Sequence, residues 1–175
     1  MPLTRSFRET VQARARRDVK FRQALLGEAM QALLDGNLEE GGSALRSCIN
    51  STVDLVFANE AELHSLYQTS DFDTALAQLR SDAKLGVVTR SEKGCVVASR
   101  DGVIAVPAFP IGKMVDTTGA GDLFAAGFLF GLVRNAGHEN AGRLGALAAA
   151  EVIQHIGARP QTSLKELARQ NGLPV

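Results

Sequence analysis

Cysteine is scarce, net charge is absent, and no long hydrophobic run interrupts the sequence. Only Cys48 and Cys95 occur among 175 residues. That excludes a disulfide framework and points to a reducing, cytoplasmic setting in which both thiols are core filler. Nineteen Lys and Arg balance nineteen Asp and Glu, so the totals give no reason to expect a nucleic-acid or membrane partner. No apolar stretch approaches the roughly 20 residues of a membrane-spanning helix, and the first residues lack the apolar core of a secretory signal. Also missing is any G-x-x-x-x-G-K-[ST] string, which removes the P-loop as a means of holding phosphate. The length suffices for one domain with its own core, carrying at most a short appendage.

What charge there is lies unevenly. Arg5, Arg8, Arg14, Arg16, Arg17, Lys20 and Arg22 face only Glu9 and Asp18 in the first 22 residues. Such a run is either the solvated face of a helix or a surface for an anionic partner. Helical periodicity dominates this part of the chain. Phe7, Val11 and Ala15 share one stripe; a second helix is predicted from the Asp18 cap through Phe21, Leu25, Ala29 and Leu33 to the Asp35-Gly36-Asn37 turn; a third short helix holds Leu45 and Ile49. Residues 1–52 therefore read as a helical extension with little to bury by itself.

The character changes at residue 53. The run from Asp54 to Ala58 has strand length and is followed by Asn59, a helix cap with Glu60 and Glu62 in the first turn. Asp71 opens a helix through Leu76 and Leu79, and Leu85 to Thr89 is a second buried strand. Two such steps predict an α/β fold with a parallel-rich sheet flanked by helices over residues 53–175. Antiparallel strands are predicted at Cys95 to Ser99 and Val103 to Val106, with Asp101-Gly102 supplying the positive φ of a tight hairpin. Further helices are predicted from Ala120 to Arg134 and from Asn140 to Ile156, the latter ending at Gly157, and a last one behind a Ser163/Glu166 capping box.

The segment Asp116-Thr117-Thr118-Gly119-Ala120-Gly121-Asp122-Leu123-Phe124-Ala125-Ala126-Gly127 carries the chemistry. Gly119 and Gly121 let the backbone turn sharply and leave N–H groups uncovered where a helix begins and its dipole favours an anion. A carboxylate beside such a cradle would be repelled by phosphate unless it has work there, and taking the proton of an attacking hydroxyl is such work. As a bare Gly-Ala-Gly-Asp string, the same residues are equally a glycine-rich helix entry with a first-turn carboxylate.

The full string, followed by F-x-x-G at Phe124 to Gly127, resembles the C-terminal signature of the PfkB (ribokinase-like) carbohydrate kinases. Asn59-Glu60-Ala61-Glu62 resembles the N-x-x-E motif of that family, and Val87-Val88-Thr89 through Gly94 its strand and turn beside the nucleotide. The wording at residues 89–94 and 122–127 is most similar to bacterial adenosine kinases of the family.

The resemblance implies an ATP-dependent kinase acting on a hydroxyl of a sugar or nucleoside. Asp122 is then the general base, and Gly119, Ala120 and Gly121 form the anion hole for the transferred phosphoryl group. Thr89 and Gly94 lie by the nucleotide, and Asn59 with Glu62 organises hydrated Mg²⁺. Asp116 and Thr118 match positions where some members hold a monovalent cation such as K⁺. Ser91 stands where many relatives have glycine.

Members of that family are substantially longer than this chain; the matching part is their C-terminal half, so the resemblance implies that most of the acceptor site is missing and that the chain alone is a weak or inactive kinase, with adenosine the first acceptor expected. The alternative expectation is a vestigial fusion protein whose helical N-terminus binds a macromolecule and which has no turnover. Leu3-Thr4-Arg5-Ser6-Phe7-Arg8-Glu9-Thr10-Val11 and residues 44–53 resemble instead the N-terminal portion of addiction-module antidote proteins, without the helix-turn-helix that follows in those. Expected partners are a small-molecule sugar or nucleoside and a second copy or another protein held through the N-terminal helices.

Overall fold

The computed structural model describes residues 7–37, 39–45 and 54–175. Residues 46–53, with Cys48, Ile49 and the junction near Thr52, lie outside the described part, as do the side chains of Phe7 and Leu33. The chain divides into two compact units, the first Met1–Gly86 with Ala98–Arg100 and the second Val87–Val97 with Asp101–Val175.

The first unit begins with α1 (Phe7–Arg17) and α2 (Val19–Leu34). Asp18 separates them because its carboxylate accepts the N–H of Phe21 at 3.0 Å, which caps the second helix. Ala15 and Ala29 are fully buried, with Phe21 and Leu25 half-buried on the same side of α2. Its other side leaves Val19, Leu26, Met30 and Leu34 exposed. Three of the basic residues are engaged within this helical pair: Arg14 of α1 stacks 4.4 Å over the Phe21 ring of α2, Arg22 of α2 reaches the Ala15 carbonyl of α1, and Arg17 the Ala13 carbonyl of its own helix. Gly36 turns the chain at a φ of 82°, and Asn37 caps a third helix, α3, over residues 39–45 by accepting the Glu40 N–H.

Strand β1 (Leu55–Asn59) leads into α4 (Glu60–Tyr67) and α5 (Phe72–Asp82). Asn59 and Asp71 cap the two helices as their sequence positions predict. Leu63, Ala75 and Leu79 are fully buried, and the Tyr67 hydroxyl joins the Asp82 carboxylate at 3.1 Å. Strands β2 (Leu85–Thr89), β3 (Cys95–Ser99) and β4 (Val103–Val106) follow, and the sheet runs in the order β1-β2-β3-β4. The β1 to β2 connection passes through two helices, as a parallel pair requires, whereas short turns join β2 to β3 and β3 to β4, as in antiparallel pairs. The sheet is therefore mixed. The hairpin between β3 and β4 forms, but Gly102 does not take the positive φ expected of it; the loop of residues 100–102 is long enough to close without one.

In the second unit α7 (His138–Val152) is the central helix, with α6 (Ala120–Val133) and α8 (Leu164–Gln170) beside it. It is made of Ala and Gly because its neighbours leave no room. A Cβ on Gly145 would lie 2.7 Å from the Phe124 carbonyl oxygen, and one on Gly127 would lie 2.6 Å from that of Leu144, so α6 and α7 touch backbone to backbone. On another side Gly142 faces Val106 and Cys95, and Leu144 and Leu147 pack with Ala168 and Leu173. Cys95 is core filler, as expected: burial pushes its thiol up to about 12, far from reactive.

Strand β1 lies one residue later than the predicted run and α6 ends one residue earlier, but the larger changes are at α7. Helix α7 starts two residues earlier than predicted and ends at Val152, not Ile156. The Ile153 carbonyl accepts the N–H groups of Val115 and Asp116, and this outside strand of chain ends the helix. Ile156 is accordingly 81% exposed. At α8 only half of the capping box forms, Ser163 Oγ accepting the Glu166 N–H at 3.3 Å.

Candidate functional site

The turn at residues 116–119 delivers the chain into α6, and Asp116 shapes it. Its Oδ1 accepts both the N–H of Thr118 at 2.9 Å and the hydroxyl of Thr118 at 2.7 Å, while Oδ2 accepts the Gly157 N–H at 3.0 Å. The structure thus brings together Asp116, Thr118 and Gly157. The Gly157 N–H, then the Thr118 hydroxyl and N–H, hold the Asp116 carboxyl down at about 2 against an ordinary 3.8. A carboxyl lowered in the folded state contributes stability that is complete above its unfolded value and is lost as pH falls through the folded one. Urea midpoints should therefore fall as pH drops from about 4 to about 2, and Asp116→Asn should flatten that limb of the curve; an unchanged slope in the variant would refute the clamp.

Gly119 is the N-cap of α6 at a φ of 79°, and a Cβ there would strike Ala158 at 2.5 Å. Gly121 differs, because nothing lies within 4 Å of a Cβ built on it. The protein's own packing does not require glycine at this point, so its smallness leaves open space over the backbone. The Ala120 N–H is turned inward to the Thr117 carbonyl at 3.2 Å. Among the described residues, the N–H groups of Gly119, Gly121 and Asp122 find no acceptor. Three uncovered donors at the head of a 14-residue helix make a seat for an anion. Asp122 stands in the first turn, exposed, and its carboxylate makes no bond among the described residues.

Thr89 ends β2 and is half-buried. Gly94 closes the turn behind it at φ 86° and ψ −131°, pressed against the backbone of Val106, Pro107 and Ala108, so geometry alone demands glycine there. In the first unit, Asn59 and Glu62 form a complete capping box: Asn59 Oδ1 accepts the Glu62 N–H and Glu62 Oε2 accepts the Asn59 N–H, each at 2.8 Å. Both side chains are exposed at the carboxyl end of β1, and Glu62 Oε1 keeps its lone pairs. Among the described residues no group of three or more His, Cys, Asp or Glu side chains could hold a metal ion by itself.

Sequence reasoning missed Glu151. It is 7% exposed in the last turn of α7, and burial raises its carboxyl while bonds from Gln161, His155 and Thr162 outweigh that and leave it lowered. Only His155, four residues on, is a local partner; Gln161 and Thr162 lie ten and eleven residues away, beyond the reach of any helical pattern. Among the described residues no helix is long and apolar enough to cross a membrane.

The family model described as pfkB family carbohydrate kinase matches residues 29–165. An uncharacterised sugar kinase of Archaeoglobus fulgidus is 37% identical over 122 residues, which are 69% of this chain and 48% of that protein. Among solved structures, a probable sugar kinase from Rhizobium etli superposes with a TM-score of 0.76 at 42% identity, covering 86% of this chain and 49% of the other. The adenosine kinase from Sinorhizobium meliloti gives 0.74 at 41% identity, with 86% and 50% covered. The chain spans about half the length of the relatives it matches. With the glycine turn, the exposed Asp122 and the mixed sheet flanked by helices in place, the chain belongs to the pfkB family of carbohydrate kinases and has part of its α/β, ribokinase-like fold.

Proposed function

We propose that this chain carries the nucleotide-binding and catalytic part of an ATP-dependent kinase that phosphorylates a hydroxyl of a sugar or nucleoside, with adenosine the first acceptor to test. The observation that carries this reading is the head of α6, where unpaired N–H groups and an unpaired carboxylate stand side by side over open space. Gly119, Gly121 and the N–H of Asp122 hold the terminal phosphate and meet the charge that develops on it. Ala120, expected in the same role, contributes through the turn it makes with Thr117, its own N–H being spent there. Asp122 takes the proton of the acceptor hydroxyl as the phosphoryl group transfers. Thr89 and Gly94 border the nucleotide.

Mg²⁺ neutralises phosphate charge in such reactions and keeps several waters, needing only one or two protein carboxylates. Glu62, oriented by its bond to the Asn59 N–H, suits a ligand reached through water. K⁺ belongs to the same reading at Asp116 and Thr118. Their mutual bonds already explain them as a clamp, so a cation there is an addition to that role. The cytoplasm, where ATP and reduced thiols coincide, is the fitting compartment.

Calorimetric titration with Mg-ATP tests the reading. Saturable binding that Gly121→Val abolishes is expected, since the branched side chain would fill the open space; heats indistinguishable from dilution would sink it.

A second reading is favoured by the exposed stripe of Val19, Leu26, Met30 and Leu34 on α2, which is unusual for a helix facing water. Here the N-terminal helices bind a second copy or another protein, and turnover is absent. Robust phosphorylation of adenosine by a monodisperse monomer in light scattering would remove it.

A further inference from the structure

The loop that follows α7 is organised by one buried carboxylate. Glu151 Oε1 accepts the N–H of Gln161 at 2.9 Å, the N–H of Thr162 at 3.0 Å and the Thr162 hydroxyl at 3.1 Å, and its Oε2 faces His155 Nε2 at 3.3 Å. One side chain thus ties both ends of residues 155–162 to the last turn of the helix. Three donors converging on one oxygen suit a carboxylate, whose negative charge strengthens each bond and whose second oxygen also accepts, whereas a carboxamide is neutral and its NH₂ would bring donors of its own.

The tied loop touches the turn before α6 at three places. The Ile153 carbonyl receives the N–H groups of Val115 and Asp116 at 2.8 and 3.3 Å. The Gly157 N–H reaches Asp116 Oδ2 at 3.0 Å, from a backbone held at a φ of 98°. Ala158 abuts the α-carbon of Gly119 so closely that no Cβ fits between them. Free to move, the loop would release both the far side of the Asp116 clamp and the wall behind Gly119.

We propose that Glu151 is a positioning residue, holding the loop of residues 153–162 so that Gly157 and Ala158 brace Asp116 and Gly119 in the phosphate-binding turn. The consequence for phosphate rests on the kinase reading above; the mechanical consequence does not. A site held to fractions of an ångström needs such support, because small displacements of the binding groups lower rate and affinity steeply.

The test is residue-resolved amide hydrogen exchange on the full chain without ligand, for wild type, Glu151→Gln and Glu151→Ala. Loss of one hydrogen bond corresponds to about tenfold in the opening equilibrium. The Gly157 N–H should therefore exchange about tenfold faster in Glu151→Gln and faster still in Glu151→Ala, with Val87 and Val97 unchanged. Unchanged protection at Gly157 overturns the proposal. So does equal acceleration everywhere in both variants, which would make Glu151 a contributor to general stability alone.

The second measurement is Mg-ATP calorimetry, where Glu151→Gln should weaken binding about tenfold. Wild-type affinity in a variant whose Gly157 has come free would break the link between the brace and the phosphate turn. A wild-type protein that binds no Mg-ATP would sink the kinase reading and leave the exchange result to decide the brace.

Discussion

Asp122→Asn is expected to lower the rate of phosphoryl transfer from Mg-ATP to adenosine by about 10²- to 10⁴-fold, the usual contribution of a positioned general base. The substitution is clean for a structural reason. Asp122 is exposed and bonded to nothing among the described residues, so an amide of the same shape disturbs no packing, and thermal stability should hardly move. Mg-ATP affinity should hold or rise, because the variant removes a negative charge from beside the anion seat. A fall in rate with ATP binding intact is the signature of a group that acts on the acceptor hydroxyl, separable from one that merely binds nucleotide. Steady-state assays with adenosine decide it: a measurable wild-type rate that drops less than about tenfold in the variant would show that the proton leaves by another route.

How much of this was legible follows the reach of each signal. Strands β2, β3 and β4 begin and end where their apolar runs do, because each is a short β-branched stretch bounded by charged residues, glycine or proline. Asn59, Asp71 and Ser163 were readable as caps since a cap and its partner lie three residues apart. The turn at residues 116–122 was readable for the same reason, its whole chemistry lying in one continuous string. What failed depended on distant parts of the chain. Val152, Ile153 and Ile156 continue an apolar helical pattern, and α7 stops there where the N–H groups of Val115 and Asp116 arrive at the Ile153 carbonyl and the Gly157 N–H turns to Asp116. Glu151 in an Ala-rich helix gave no local sign of the loop it ties down. The close crossing of α6 and α7 was half visible: Gly127, Gly131, Gly142 and Gly145 inside helices weaken helix formation by about 1 kcal/mol each relative to Ala, which asks for a packing reason without naming the partner.

That distinction between a glycine needed by the fold and one needed by a ligand separates two residues of the candidate site. Gly121 has open space around it, and its replacement should be felt when a phosphate arrives. Gly94 is the opposite case. It sits at φ 86° and ψ −131°, where L residues are strained by about 1–3 kcal/mol. A Cβ would overlap the Val106 carbonyl oxygen and lie 2.5 Å from the Ala108 nitrogen and 2.6 Å from the Pro107 carbonyl carbon. Those are backbone atoms and cannot swing aside, so overpacking adds about 1–3 kcal/mol more. Gly94→Ala should therefore lower the free energy of unfolding by about 2–6 kcal/mol, a large part of the about 5–15 kcal/mol that holds a domain together. Ser91, three residues earlier, supplies the internal control: it is exposed and already left-handed at a φ of 51°, so Ser91→Gly should relieve strain and stabilise by about 0.5–1 kcal/mol. Urea denaturation of both variants checks the pair, and a Gly94→Ala protein within about 1 kcal/mol of wild type would be incompatible with this turn. Lost activity in Gly94→Ala would then say nothing about nucleotide contact, because the fold alone accounts for it. Thr89→Val, which keeps the strand and its volume while removing the hydroxyl, is the substitution whose ATP affinity reports on the nucleotide.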